Sequence, residues 1–136
     1  TILTRRFLKR REQMLQIMIV SFGYKYGIPL DSDLVFDARF LPNPFYIDRF
    51  REKTGKDKSV QEYVFQSRKT EEFLDKLFKF IDYLIPRFIE EGKGYLTISI
   101  GCTGGKHRSV VLAEKLKNHL KRKKYQAKNY NRDIYK

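Results

Sequence analysis

The chain has 136 residues, 41% of them hydrophobic, a formal net charge of +13 and one cysteine. That length fits a single domain with a real core, and the apolar fraction excludes a disordered chain. No apolar run approaches the roughly 20 residues of a membrane span, and the basic start TILTRRFLKRR lacks the apolar stretch of a secretory signal.

Residues 1–11 carry five Arg/Lys and no acid, and residues 115–136 carry nine Lys/Arg against Asp133 alone. The stretch between them, 12–114, is balanced, with fifteen of each sign. Two cationic ends on a neutral core point to a polyanionic partner, nucleic acid first. Residues 13–22, QMLQIMIVSF, read as a first buried strand. FGYKYGIP is a loop, and LVFDARF (34–40) a second strand. Pro42 and Pro44 then force an extended, non-helical path through LPNPFY. Residues 51–58 are polar, contain Gly55 and read as a surface loop. A short helix follows at 59–67.

Residues 70–91 carry the clearest helical signal. Leu74, Leu77, Phe78, Ile81, Leu84, Ile85 and Phe88 follow helical spacing, with Phe73, Phe80 and Tyr83 widening the stripe. Thr70 is placed to cap the start, Pro86 to kink the last turn and Gly92 to stop it. A strand at 95–100, a helix at 109–121 and a last strand at 125–130 complete the chain. His119 reads as a solvated helix end. The order predicts an α/β fold, a mainly parallel sheet flanked by helices, in one domain spanning 1–136.

The most informative segment joins the third strand to the following helix: Gly101, Cys102, Thr103, Gly104, Gly105, Lys106, His107, Arg108 and Ser109. A glycine-rich turn entering a helix start converges backbone N–H groups where the helix dipole favours negative charge. In parallel sheets, ligands sit at such carboxyl ends of strands. Phosphate-like anions are the ligand class to test first. The loop is not a Walker A motif, because the four-residue gap is missing and His107 follows Lys106. Cys102 and Arg108 also have the C-x5-R spacing of cysteine-dependent phosphatases, with Asp37 as the best-placed general acid. Those phosphatases usually carry His before the Cys, where Gly101 stands here. A lone cysteine fits a reducing, cytoplasmic compartment and excludes an internal disulfide. Asp31, Asp33 and Asp37 lack the spacing of a calcium loop, and no metal is expected.

SFGYKYGIPLDSDLVFDARFLPNP, TGKDKSVQEYV and YLTISIGCTGGKHRSVVLAEKL, within residues 15–134, resemble the carboxy-terminal domain of the RapZ/YvcJ family. The resemblance implies a fold similar to a phosphofructokinase subdomain. It also implies an amino-terminal P-loop domain, absent here, to which ATP or GTP binding belongs. In RapZ-type members this domain is the RNA-binding part of an adaptor that presents a small regulatory RNA to an endoribonuclease and so tunes amino-sugar synthesis. The glycine-rich loop is there a pocket for glucosamine-6-phosphate, and the matching positions are 102–109. Two departures stand out. Tyr26 in FGYKYG replaces the His of FGFKHG, and Asn131–Arg132 replaces an HR pair.

The combined expectation is a non-enzymatic regulatory domain without a resident cofactor, able to form a homodimer as family members assemble. Residues 102–109 hold the phosphate, Lys25 and Tyr26 border it, and Asp37, Arg39 and Asn43 are further pocket candidates. Arg5, Arg6, Lys9, Arg10 and Arg11 join Lys121, Arg122, Lys123, Lys124, Lys128 and Arg132 as RNA backbone contacts. Tyr125 and Tyr130, interleaved with them, could stack on unpaired bases or pack in the core.

Overall fold

A computed structural model describes residues 2–136, the side chains of residues 2, 3 and 13 apart. Four strands, β1 (Gln16–Gly23), β2 (Leu34–Asp37), β3 (Tyr95–Cys102) and β4 (Gln126–Asn131), form one parallel sheet in the order β2-β3-β1-β4. The helices are α1 (Ile2–Met14), α2 (Asp48–Arg51), α3 (Lys58–Phe65), α4 (Arg68–Glu90) and α5 (Arg108–Arg122). None is long and apolar enough to cross a membrane.

Alternation along the strands decides where the core forms. Ile17 and Ile19 of β1 and Leu96, Ile98 and Ile100 of β3 share one face. They pack against Leu74, Leu77, Ile81, Ile85 and Ile89 of α4 and Leu112, Leu116 and Leu120 of α5. On the opposite face Phe22 is buried, while Met18, Val35, Tyr95 and Tyr130 are exposed. Residues 24–33 carry the chain from β1 to β2. They are tied to β3 where the Asp33 amide donates to the Thr97 carbonyl (2.9 Å) and the Thr97 amide to the Asp33 carboxylate (2.8 Å).

Several local expectations are corrected. The basic start, for which no element is predicted, is α1, in contact with α4. The second strand stops at Asp37 rather than residue 40, because the chain turns, the Leu41 amide donating to the Ala38 carbonyl (3.2 Å). LPNPFY is not wholly extended. Pro44–Tyr46 form a 3-10 turn, with Asn43 accepting from the Phe45 amide (3.1 Å) and Pro44 in the first turn, where its missing N–H costs nothing. Residues 51–58 are not simply a surface loop. Gly55 is buried, and its amide donates to the Lys106 carbonyl (2.9 Å). The cap of α4 is Ser67, which accepts from the Lys69 amide (3.2 Å); Thr70 lies inside the helix and its hydroxyl donates to the Val64 carbonyl (2.6 Å). The helix runs on past Pro86 to Glu90 and ends before Gly92, whose φ is +88°. His119 is not solvated. It stacks on Phe78 (centroids 4.1 Å apart) and bonds the Asp82 carboxylate at 2.9 Å.

At the carboxyl end of the sheet two adjacent strands are joined glycine to glycine. Gly23 lies opposite Cys102 in register. A Cβ on Gly23 would collide with the Gly104 carbonyl carbon, and one on Gly105, at φ +75°, with the Gly23 amide nitrogen. Gly104 has open space where a Cβ would stand. Gly105→Ala is therefore expected to destabilise the fold by roughly 1–3 kcal/mol through backbone strain and overpacking. Gly104→Ala should stay within about 0.5 kcal/mol of the parent. Thermal unfolding of the two variants checks this, and equal melting temperatures would contradict it.

Candidate ligand pocket and basic surface

A cavity of about 340 Å³ opens at the carboxyl end of β3. Its floor is Cys102, Thr103, Gly104, Lys106, His107 and Arg108; Lys25, Tyr26 and Asn43 stand at its edge. The structure thus brings together nine of the residues expected from sequence. Four others lie outside the lining. Gly105 is buried against Gly23, and Ser109 lies behind the floor, its hydroxyl accepting from the Cys102 thiol (3.2 Å). Asp37 and Arg39 form an ion pair beside the cavity (2.7 Å), with the Arg39 guanidinium stacked 3.8 Å from the Tyr24 ring centre.

Arg108 is the chemical centre of the floor. It is 4% exposed. Its Nη1 donates to the carbonyls of Arg39 (2.6 Å) and Leu41 (3.1 Å), bracing the turn after β2, and Nη2 reaches the Thr103 hydroxyl at 3.4 Å. Its Nε has no partner among the described residues. A buried charged donor without an acceptor is costly, and it leaves Arg108, whose side chain lines the cavity, with unused donor capacity. The first turn of α5 adds N–H groups with no intrahelical acceptor and the positive end of its dipole. A phosphatase acid at Asp37 would need a carboxyl that keeps its proton. Hydrogen bonds from Arg39 instead hold Asp37 below the usual carboxylate range, against a smaller opposing effect of burial.

The rim holds side chains that sequence reading missed: Phe45, Tyr46, Arg51, Glu52 and Lys136. Tyr26, 38% exposed, is flanked by the ammonium groups of Lys25 (5.1 Å) and Lys136 (5.0 Å). Phe45 and Tyr46 are 51% and 77% exposed, and the Arg51 guanidinium lies 5.2 Å from the Phe45 ring centre. Pro42 and Pro44 were the available signal, since prolines on both sides of Asn43 favour the turn that carries the two rings. Asp133 was missed as well. Its buried carboxylate accepts from the Gly23 amide (2.8 Å), Arg132 (2.9 Å) and Lys136 (2.8 Å). Burial alone would raise its pKa, but these donors outweigh burial and hold it low.

The expected RNA contacts lie mostly elsewhere. Arg5, Arg6, Lys9 and Arg10 are exposed on α1, Arg11 is half-buried, and Lys121, Arg122, Lys123, Lys124 and Lys128 are exposed at the end of α5 and on β4. Lys123 also lies 3.4 Å from Asp82. Because α1 leads into β1 and α5 into β4, the carboxyl ends of both helices lie at the amino end of the sheet, opposite the pocket. Glu12 of α1 comes near enough to Tyr125 to add to the rise in its pKa that burial begins. Tyr125 packs against the core, whereas Tyr130 is exposed. Arg132 is held by Asp133 and by the Gly27 carbonyl (2.5 Å).

His107 joins the floor to a second small core of Phe50, Val60, Val64 and Val111, its Nε2 3.1 Å from the Phe50 carbonyl. Burial lowers its pKa from the ordinary 6.5; the carbonyls of Lys53 and Phe50 oppose this, and the charges of Lys106 and Arg108 add to it. The unfolded chain therefore takes up a proton before the native one. This contribution to stability is complete above the unfolded value and is lost as pH falls below it. Melting temperature should drop between about pH 7.5 and about pH 5.5, above the range of the carboxylates, and His107→Asn should flatten that slope. An unchanged slope in the variant would contradict the assignment.

Comparison with known proteins identifies the family. A family model described as the RapZ C-terminal domain matches residues 15–135. A "Nucleotide-binding protein" of Caldicellulosiruptor bescii is 59% identical over 128 residues, covering 94% of this chain and 44% of that protein. One of Thermoanaerobacter sp. (strain X514) is 58% identical over 118 residues, covering 87% of this chain and 42% of the relative. A third, from Clostridium botulinum (strain Eklund 17B / Type B), is 52% identical over 123 residues, covering 90% and 42%. The chain spans less than half the length of these relatives, and residues 15–135, which the family model matches, include every strand and the whole pocket floor. It belongs to the RapZ C-terminal domain family.

Proposed function

We propose that this is a regulatory domain with two anion-binding regions: a pocket that senses a phosphorylated amino sugar of the glucosamine-6-phosphate kind, and a basic surface that holds a small regulatory RNA for an endoribonuclease. The observation that carries the pocket reading is the buried Arg108, which lines a cationic cavity and whose Nε has no partner among the described residues. Lys25, Lys106, Arg51 and Lys136 supply positive charge around it, which suits a phosphate dianion. Thr103 and Asn43 offer hydrogen bonds to sugar hydroxyls. Glu52, an exposed acid among these cations and 3.9 Å from Lys106, offers a counter-charge to an amino group. Tyr26 can donate a hydrogen bond but, unlike a histidine, cannot become cationic.

The RNA reading rests on the run Lys121–Lys124, the neighbouring Lys128 and the arginines of α1. Contacts of this kind neutralise phosphates without reading sequence. The relatives named as nucleotide-binding proteins are more than twice as long as this chain, and triphosphate binding is assigned in this reading to their remaining portion. The domain acts in the cytoplasm as an adaptor, without chemistry of its own, and self-association brings two basic surfaces into one complex.

Calorimetric titration tests the pocket, with inorganic phosphate and glucose-6-phosphate as controls. Glucosamine-6-phosphate should bind selectively, and Lys106→Ala should weaken it by about tenfold, the effect of one lost charge-assisted bond. Lys106 is the cleaner probe, because Arg108 also braces residues 39–41. No binding, or equal binding of all three compounds, would contradict the sensor. For RNA, affinity should fall steeply with salt, and charge reversal at Lys121–Lys124 should abolish it. Undiminished binding in that variant would remove this segment from the interface.

A further inference from the structure

The rim of the pocket carries more aromatic surface than a sugar phosphate needs. Tyr26, Phe45 and Tyr46 all line the cavity, and each leaves over a third of its surface exposed. Phe45 and Tyr46 stand edge to face, their ring centres 5.9 Å apart. Their turn is held by Asn43, which accepts from the Phe45 amide, and by the Arg51 Nε, which donates to the Phe45 carbonyl (3.1 Å). Rings fixed in this way next to a phosphate floor form a stacking platform, and a nucleobase is the flat partner that fits one.

The geometry points to a nucleotide phosphomonoester as a ligand of this pocket, specifically the 5′-phosphorylated end of an RNA strand. The inference rests on the reading of the floor as a phosphate site. The terminal phosphate takes the floor, between Arg108, Lys106 and Thr103, and the first base stacks on Tyr46 or Phe45. This differs from triphosphate binding by a P-loop, whose spacing the chain lacks. A strand rather than a free mononucleotide is favoured by what adjoins the pocket. A groove of about 840 Å³ shares Lys136 with it and runs between α5 and the outer edge of β4. The exposed rings of Tyr130 and Tyr135, together with Lys56 and Lys117, line that groove, and Lys56 stands 5.9 Å from the Tyr135 ring centre. Cations beside exposed rings are what successive unpaired nucleotides require. A mononucleotide would leave them unused.

Sugar phosphate and RNA end would then exclude one another from a single phosphate floor. Sensing and RNA retention would be linked by direct competition, reciprocal by thermodynamic necessity.

The test uses a short unstructured RNA labelled at its 3′ end, prepared with a 5′-monophosphate or a 5′-hydroxyl, and read by fluorescence anisotropy. Adenosine monophosphate serves as the free-nucleotide arm. The 5′-phosphorylated strand should bind at least about tenfold more tightly than both the hydroxyl strand and the mononucleotide. Tyr46→Ala should cost that strand about tenfold, the size of one lost base stack, and glucosamine-6-phosphate should displace it. Equal affinity for the two strands would overturn the inference, as would mononucleotide binding as tight as the strand. Parallel titration with glucosamine-6-phosphate separates the failures. If the sugar phosphate binds but the strand ends are indistinguishable, only this inference falls. If no phosphate compound binds, the reading of the floor falls with it.

Discussion

The contact between Gly23 and the Gly104–Gly105 pair is the constraint on which the rest of the site depends. Two adjacent parallel strands end there, and their backbones approach more closely than any side chain would allow. The buried Asp133 carboxylate closes the junction by accepting from the Gly23 amide, and Arg132 and Lys136 keep it ionised. With the strand ends fixed, the β3–α5 loop has one path. It turns through the left-handed Gly105, places Lys106 and His107 over the small core around Phe50, and starts α5 at Arg108. That residue in turn holds the carbonyls of Arg39 and Leu41 and so positions the proline turn carrying Phe45 and Tyr46. Floor and rim are thus set by one backbone junction, and the cavity is the space they leave.

The molecule's positive charge divides into two regions separated by the length of the sheet. A strand of eight residues such as β1 is roughly 26 Å long, several times the Debye length of about 8 Å at physiological salt. Cations at the basic end therefore contribute little to the potential in the pocket. Any coupling between the two must travel through the fold or through a ligand long enough to touch both. The groove beside β4, which meets the pocket at Lys136, offers the second route.

The parts legible in the sequence were those with a local cause. Buried strands showed as β-branched runs, α4 as a stripe at helical spacing, and the phosphate floor as glycines beside Lys106, His107 and Arg108. The parts that stayed hidden depend on partners distant in the chain. Phe45, Tyr46 and Arg51 follow the turn after β2, which Arg108, more than 50 positions later, holds by the carbonyls of Arg39 and Leu41. Asp133 looked like a lone acid in a basic tail, since its partner amide at Gly23 is 110 positions away. His119 read as solvated because its partners, Phe78 and Asp82, lie on another helix. The helix at residues 2–14 went unread for a different reason: its charge dominates its weak apolar pattern.

The central claim is that the orphaned Arg108 Nε and the glycine loop receive a phosphate. The most direct measurement is a nitrogen-15 NMR titration of this domain with glucosamine-6-phosphate. The account predicts that the Arg108 Nε–H signal and the amides of Gly104 to Lys106 shift together along one saturating isotherm, while those of Lys121–Lys124 stay in place. A stationary Arg108 Nε–H with shifts confined to the 121–124 segment would contradict it.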